Sequence, residues 1–246
     1  MKNLILRIAV SIFTFFAGLA FFAFVFFYFN SIPEIAPPSA PPVQKQAEKD
    51  ECSETGFPGL SKPLPAIKKG KSPYFPRQIW GNDTSPKNFH AESYGRHLAA
   101  MGEKSLLDER DGAAEVYRFL WLRTFDHPLF VRLENRRNEI KLFTAELDGA
   151  GGYRPGNVLR SDEFSVSEDD FCDFLLLLEK ADYWNTPVED DSLGNDGAQW
   201  ILEGVRQGRY HVVDRWTPRT GEYREACLFL LKLSGIDMDR LKDDLY

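Results

Sequence analysis

Residues 115–124 read EVYRFLWLRT, and the fold class turns on this stretch. Val116, Arg118, Leu120 and Leu122 alternate with Tyr117, Phe119, Trp121 and Arg123, the period of two that sends successive side chains to opposite sides of a strand. Both sets are largely apolar, so the stretch reads as a central strand rather than an edge. A central strand needs neighbours. Residues 129–134 and 139–147 supply two, joined by a polar tip of Asn135, Arg136, Arg137 and Asn138. A glycine-rich turn over 148–156 leads into another strand over 158–166.

Helices flank this run. Residues 91–101 place Tyr94, Leu98 and Met101 on one side, with Gly102 as the stop. Ser167, followed three residues later by Asp170, forms a capping box opening a helix that runs to about Ala181, with Phe171, Phe174, Leu175 and Leu178 as its core stripe. Acidic Glu168, Asp169 and Asp170 complement the helix dipole there. Residues 198–203 and 209–216 form a hairpin, and 222–233 a last helix that stops at Gly235. Neighbouring strands interrupted by a few helices predict an α+β fold: an antiparallel or mixed sheet with helices packed on one face.

The register of the last hairpin follows from polarity, because a slip of one residue moves every side chain to the other face. A three-residue loop over 205–207 pairs Gly204 with Gly208. It gathers Ala198, Trp200, Leu202, Tyr210, Val212 and Trp216 under the helices, and turns Gln199, Glu203, Arg209, His211 and Arg215 toward solvent or a partner.

The N-terminal third is of another kind. Residues 8–29, IAVSIFTFFAGLAFFAFVFFYF, carry no charge, and as a helix of about 33 Å they match the hydrocarbon core of a bilayer. The run exceeds a signal-peptide core and lacks a small-residue cleavage site, so it predicts one uncleaved transmembrane helix. Lys2 and Arg7 precede it and Glu34 is the first charge after it, which leaves the N-terminus in the cytoplasm and the C-terminal domain extracytoplasmic, periplasmic in a Gram-negative cell. Prolines recur from Pro33 to Pro76 too often for helix or sheet. The expected organisation is a cytoplasmic N-terminus and anchor over 1–30, a proline-rich stalk over 31–76 and a soluble α+β domain over 77–246. Lys62, Lys68, Lys69 and Lys71 read as a solvated run in that stalk.

A net charge of −7 over 246 residues argues against a nucleic-acid partner. No nucleophile elbow, zincin helix, phosphate loop, dinucleotide fingerprint or EF-hand occurs, so no cofactor, metal or catalytic residue is assigned, and whether the chain is an enzyme stays open. His90 and His97, two helical turns apart, read as surface histidines. Arg118, Arg123, Arg132, Arg136, Arg137 and Lys141, interspersed with Glu115, Glu134 and Glu139, read as a solvated face of mixed sign. Cys52 lies in the stalk and reads as incidental. Cys172 and Cys227 read as two buried thiols, or as a disulfide if their helices pack side by side in an oxidising compartment.

Residues 196–218, DGAQWILEGVRQGRYHVVDRWTP, are the most distinctive stretch. Asp196, Gly197, Trp200, Glu203 and Gly204, then Tyr210, His211, Arg215, Trp216 and Pro218, then Cys227 on the following helix, resemble a family of uncharacterised bacterial proteins with a D-G-x-x-W-x-x-E-G block before Y-H-x-x-x-R-W-x-P. The resemblance covers about the last fifth of the chain and implies no activity. On chemistry alone Glu203, His211 and Arg215 are the candidate binding residues, as acid, base and anion clamp on one sheet face; the bland alternative is cross-strand charge pairs. The leading expectation is a membrane-anchored, non-catalytic module that binds or scaffolds an envelope protein or polymer. The alternatives are a hydrolase or transferase using Glu203, His211 and Arg215, and a redox-responsive domain built on Cys172 and Cys227.

Overall fold

Glu115–Arg123 forms strand β1, and apart from its first residue every position is buried, as expected of a strand with apolar side chains on both sides. The computed structural model describes residues 73–81, 88–110, 114–137, 139–190, 192, 194 and 196–236. The expected membrane span at 8–29 and most of the stalk lie outside the described residues. Among the described residues no helix is long and apolar enough to cross a membrane.

In chain order the elements are helix α1 (Asn88–Ala100), a 3-10 turn (Leu106–Glu109), strands β1, β2 (Leu129–Arg136), β3 (Glu139–Leu147) and β4 (Val158–Ser165), helix α2 (Glu168–Lys180), strands β5 (Ala198–Arg206) and β6 (Arg209–Trp216), and helix α3 (Glu222–Leu233). One six-stranded sheet runs in the order β4-β3-β2-β1-β5-β6, and every pairing is antiparallel. The expected α+β class and antiparallel sheet are therefore present. Ser167 caps α2 as its sequence demands, its hydroxyl accepting from the Asp170 amide at 3.1 Å.

The helices, however, cover both faces rather than one. Tyr117, Phe119 and Trp121 pack beneath α2 and α3 with Phe174, Leu178, Cys227 and Leu230. Leu120, Leu122, Phe130, Ile201 and Val212 pack on the reverse face beneath α1 and the segment preceding it, with Tyr94, Leu98, Phe75 and Trp80. The physical reason lies in the central strands. Their two apolar faces each need a cover to leave water, and α1 with Phe75 and Trp80 covers the second. Phe75, which the prolines around it had placed in the stalk, is fully buried in that layer.

The last hairpin corrects the expected register. Arg206 pairs with Arg209 and Gly204 with His211, so the turn has two residues rather than three. Gln207 (φ 48°) and Gly208 (φ 74°) both adopt the left-handed conformation of the two-residue turn that suits strand twist. Relative to the expectation, β6 shifts by one, and its side chains exchange faces. Polarity could not reveal this, because with helices on both sides neither face of β5 is a wet one.

Candidate functional site

The exchange of faces separates the three residues that the sequence had grouped. Glu203 lies opposite Arg118 and Val212 on the α1 face. His211 lies opposite Gly204, and Arg215 opposite Trp200, on the α2/α3 face. No acid–base–clamp constellation forms, and each residue is occupied in its own surroundings.

Glu203 and Arg118 are both fully buried and form an ion pair at 2.6 Å. The second Glu203 oxygen accepts from the Tyr210 hydroxyl at 3.0 Å. Arg118 also donates to Glu103 at 3.1 Å and to the Lys104 carbonyl at 2.6 Å. Burial works against the charged guanidinium, but Glu203 and Glu103 outweigh it and hold the Arg118 pKa above its ordinary value. Burial also dominates at Glu203, raising its pKa against the pull of Arg118. From Glu103 the chain of pairs continues to Arg132 at 3.0 Å, to Glu134, and through Arg136 to Glu109 at 2.9 Å. These residues line a cavity of about 280 Å³ together with Gly102, Lys104, Leu106 and Val116. Its guanidinium groups already face carboxylates, so an incoming anion would have to break existing pairs. The solvated basic face expected from the sequence is corrected in part: Arg118, Arg123 and Glu134 are buried, whereas Arg136, Arg137 and Glu139 are exposed and Lys141 pairs with Glu139 and Glu163 at the surface.

His211 and Arg215 hold down a strap. Residues 184–190 run along the outer side of β6, where the Asp214 amide donates to the Val188 carbonyl at 2.7 Å. The Arg215 guanidinium reaches the carbonyls of Val188 (3.0 Å) and Pro187 (2.8 Å), and a His211 ring nitrogen lies 3.0 Å from the Thr186 carbonyl. Burial, helped by the neighbouring Arg209 and Arg215, lowers the His211 pKa despite its bond to Thr186. Gly204 matters to the same arrangement. A Cβ there would come within 2.9 Å of the Tyr117 ring and 3.1 Å of the Tyr183 ring. The bare backbone lets Tyr183 lie across β5 and β6 and donate to the carbonyls of Leu202 (3.1 Å) and His211 (3.0 Å).

A group that no local spacing announced sits where α1, the strap and β6 meet. His90 Nδ1 lies 4.0 Å from both a Glu189 and an Asp214 carboxylate oxygen. The three donor atoms fall within 4.8 Å of one another, and these are the described residues that could hold a metal ion. Burial pushes the Asp214 carboxyl up to about 7, against the Tyr94 hydroxyl that donates to it at 3.0 Å. The other histidine, expected at the surface, is buried: His97 is fully enclosed on α1, with Nδ1 2.9 Å from the Ser93 carbonyl.

The cysteines depart from both expectations, two buried thiols or a bridge between them. Cys172 is disulfide-bonded, whereas Cys227 is free and buried, so the two do not pair. Cys227 faces the sheet in the α3 core, and burial drives its thiol far above the ordinary range, which keeps it protonated and unreactive. The redox reading built on this pair loses its geometry.

What the described surface leaves open is β4. Seven of its eight positions are exposed, and Val158 (49%), Leu159 (57%) and Phe164 (36%) are large apolar side chains in water. It pairs with β3 on one side and, among the described residues, with nothing on the other. No protein-family model matches the chain, and no curated protein matches it.

Proposed function

We propose that the chain is a non-catalytic binding module of the cell envelope, anchored by residues 8–29 and presenting β4 as the edge to which a protein strand adds. The observation that carries this reading is the edge itself, an eight-residue strand that pairs, among the described residues, on one side only and exposes Val158, Leu159 and Phe164. An extended partner segment gains main-chain hydrogen bonds along such an edge and specificity from alternate side chains. The trio Glu203, His211 and Arg215 supports no hydrolytic alternative, since it is divided between the two faces of the sheet.

A photo-reactive phenylalanine analogue at Ser161, in the full chain in its native membrane, tests the reading. Irradiation is expected to give a protein adduct at Ser161 and none at exposed Glu179 on α2. Absence of any adduct at Ser161 refutes β4 as the docking edge. Protease added outside the membrane should reach the same domain; protection in opened cells would reverse the assigned orientation.

A further inference from the structure

Resting on that reading of β4, we infer that the strand added to it is β4 of a second copy of this chain, paired antiparallel about a two-fold axis at Ser161. Closed pairs of identical chains use one patch twice, so the patch must complement itself. A two-fold axis normal to a sheet keeps each face on its own side, and the strand must therefore pair residues of equal parity, with one residue on the axis.

The sequence of β4, VLRSDEFS, decides which residue that is. With Ser161 on the axis, Arg160 of each copy stands opposite Asp162 of the other, two opposite-charge pairs generated by one symmetry element. Moving the axis to Arg160, Asp162 or Glu163 instead sets like charges face to face, which destabilises a strand pair. Within one chain Arg160 already lies 2.7 Å from Asp162, so both charges stand on the same face as the pairing requires. The irregularity in the β3–β4 ladder falls between Glu146 and Leu147, at Leu159, so the symmetric pairing is regular over 160–162, the residues that carry the two charge pairs.

The strand is only partly defended as an edge: it carries Arg160, Asp162 and Glu163 and an irregularity at one end, but no proline and no lysine, and its charges of both signs can complement a second copy. Self-pairing would join two six-stranded sheets into one of twelve strands.

Cysteine crosslinking of the full chain in detergent and in membranes tests the inference. Directly opposed residues in an antiparallel pair lie about 4.5–5.5 Å apart at Cα, within disulfide range, so Ser161→Cys is expected to give a covalent homodimer on mild oxidation. Glu163→Cys is displaced from its own copy by about four residues, roughly 13 Å, and is expected to give none. Arg160→Asp should raise the dimer dissociation constant about tenfold, and the double exchange Arg160→Asp with Asp162→Arg should restore it. A homodimer formed equally by both cysteine variants, or a single charge variant that dimerises as tightly as the parent, overturns the register. Adducts from Ser161→Cys to a different protein only would overturn the second copy as partner while leaving β4 as the docking edge. Absence of any adduct would overturn both.

Discussion

The two edges of the sheet meet water in opposite ways. β6 is closed by a strap, with Asp214 bonded to Val188 along the backbone and Arg215 and His211 gripping the carbonyls of Val188, Pro187 and Thr186. β4 is bare among the described residues, and exposes Val158, Leu159 and Phe164. Both are eight-residue outer strands of one antiparallel sheet, so length and pairing type do not explain the difference. It teaches that an open edge is not forced on this fold: where the chain closes an edge, it spends its most conspicuous polar side chains doing so. Residues that looked like chemistry, His211 and Arg215, serve as protection against pairing at β6, and among the described residues β4 has no counterpart.

The largest expected effect calibrates the comparison from between the edges. Glu203→Ala leaves Arg118 buried with one carboxylate fewer and strands the Tyr210 hydroxyl, a loss of about 3–5 kcal/mol in chemical denaturation that should weaken both ends of the sheet alike. Replacing Arg118 and Glu203 together by methionine and leucine should recover most of it, because the uncompensated charge is then gone.

Next comes the pH dependence of the closed edge, measured in chelator so that His90, Glu189 and Asp214 hold no ion. The Asp214 carboxyl rises from 3.8 to about 7 in the folded protein. A raised folded value means that the folded state binds the extra proton, so its contribution is fully present below the unfolded value and is lost as pH climbs through the folded one. Stability should therefore fall by about 3 kcal/mol between pH 5 and 8, and Asp214→Asn should flatten that slope. His211 acts with the opposite sign: its lowered pKa gives stability that is present above the ordinary histidine value and lost as pH falls. A profile that rises steadily through this range in both proteins would show that Asp214 is not held in a proton-binding state.

The smallest effects sharpen the contrast most directly. Arg215→Ala removes the bonds to Val188 and Pro187 and is expected to cost about 1–2 kcal/mol, with faster hydrogen exchange at the Asp214 amide. Leu159→Ser on β4 should change the stability of the single chain by less than about 0.5 kcal/mol, since its side chain is already in water. Equal costs at the two edges would erase the distinction between them.

Much of this molecule was legible locally. The capping of α2 by Ser167, the bounds of β3, β6 and α3, and the central place of β1 follow from periodicity and turn chemistry acting over a few residues. The candidate site was not, and the failure has one root. A sheet taken to be covered on one side must have a wet face, and that premise set the hairpin register by polarity. It put Glu203 beside His211 and Arg215 and placed Arg118 in solvent, whereas the surface reading of His97 rests on its spacing from His90 alone. A two-residue turn ending in Gly208 was the available signal, and it points to the correct register without reference to polarity. The His90, Glu189 and Asp214 group had no such signal, because its members come from a helix, a loop and a strand far apart in the chain.

The sequence by itself determined which stretches are helix and which are strand, and at β3, β6 and α3 where they begin and end, because caps, breakers and side-chain alternation act between neighbours in the chain. Only the tertiary structure decided which faces are dry, which register joins β5 to β6, and which edge is closed. Those choices depend on α1, Phe75 and the 184–190 strap arriving from elsewhere in the chain, and burial is a property of what is packed against a residue, not of the residue alone.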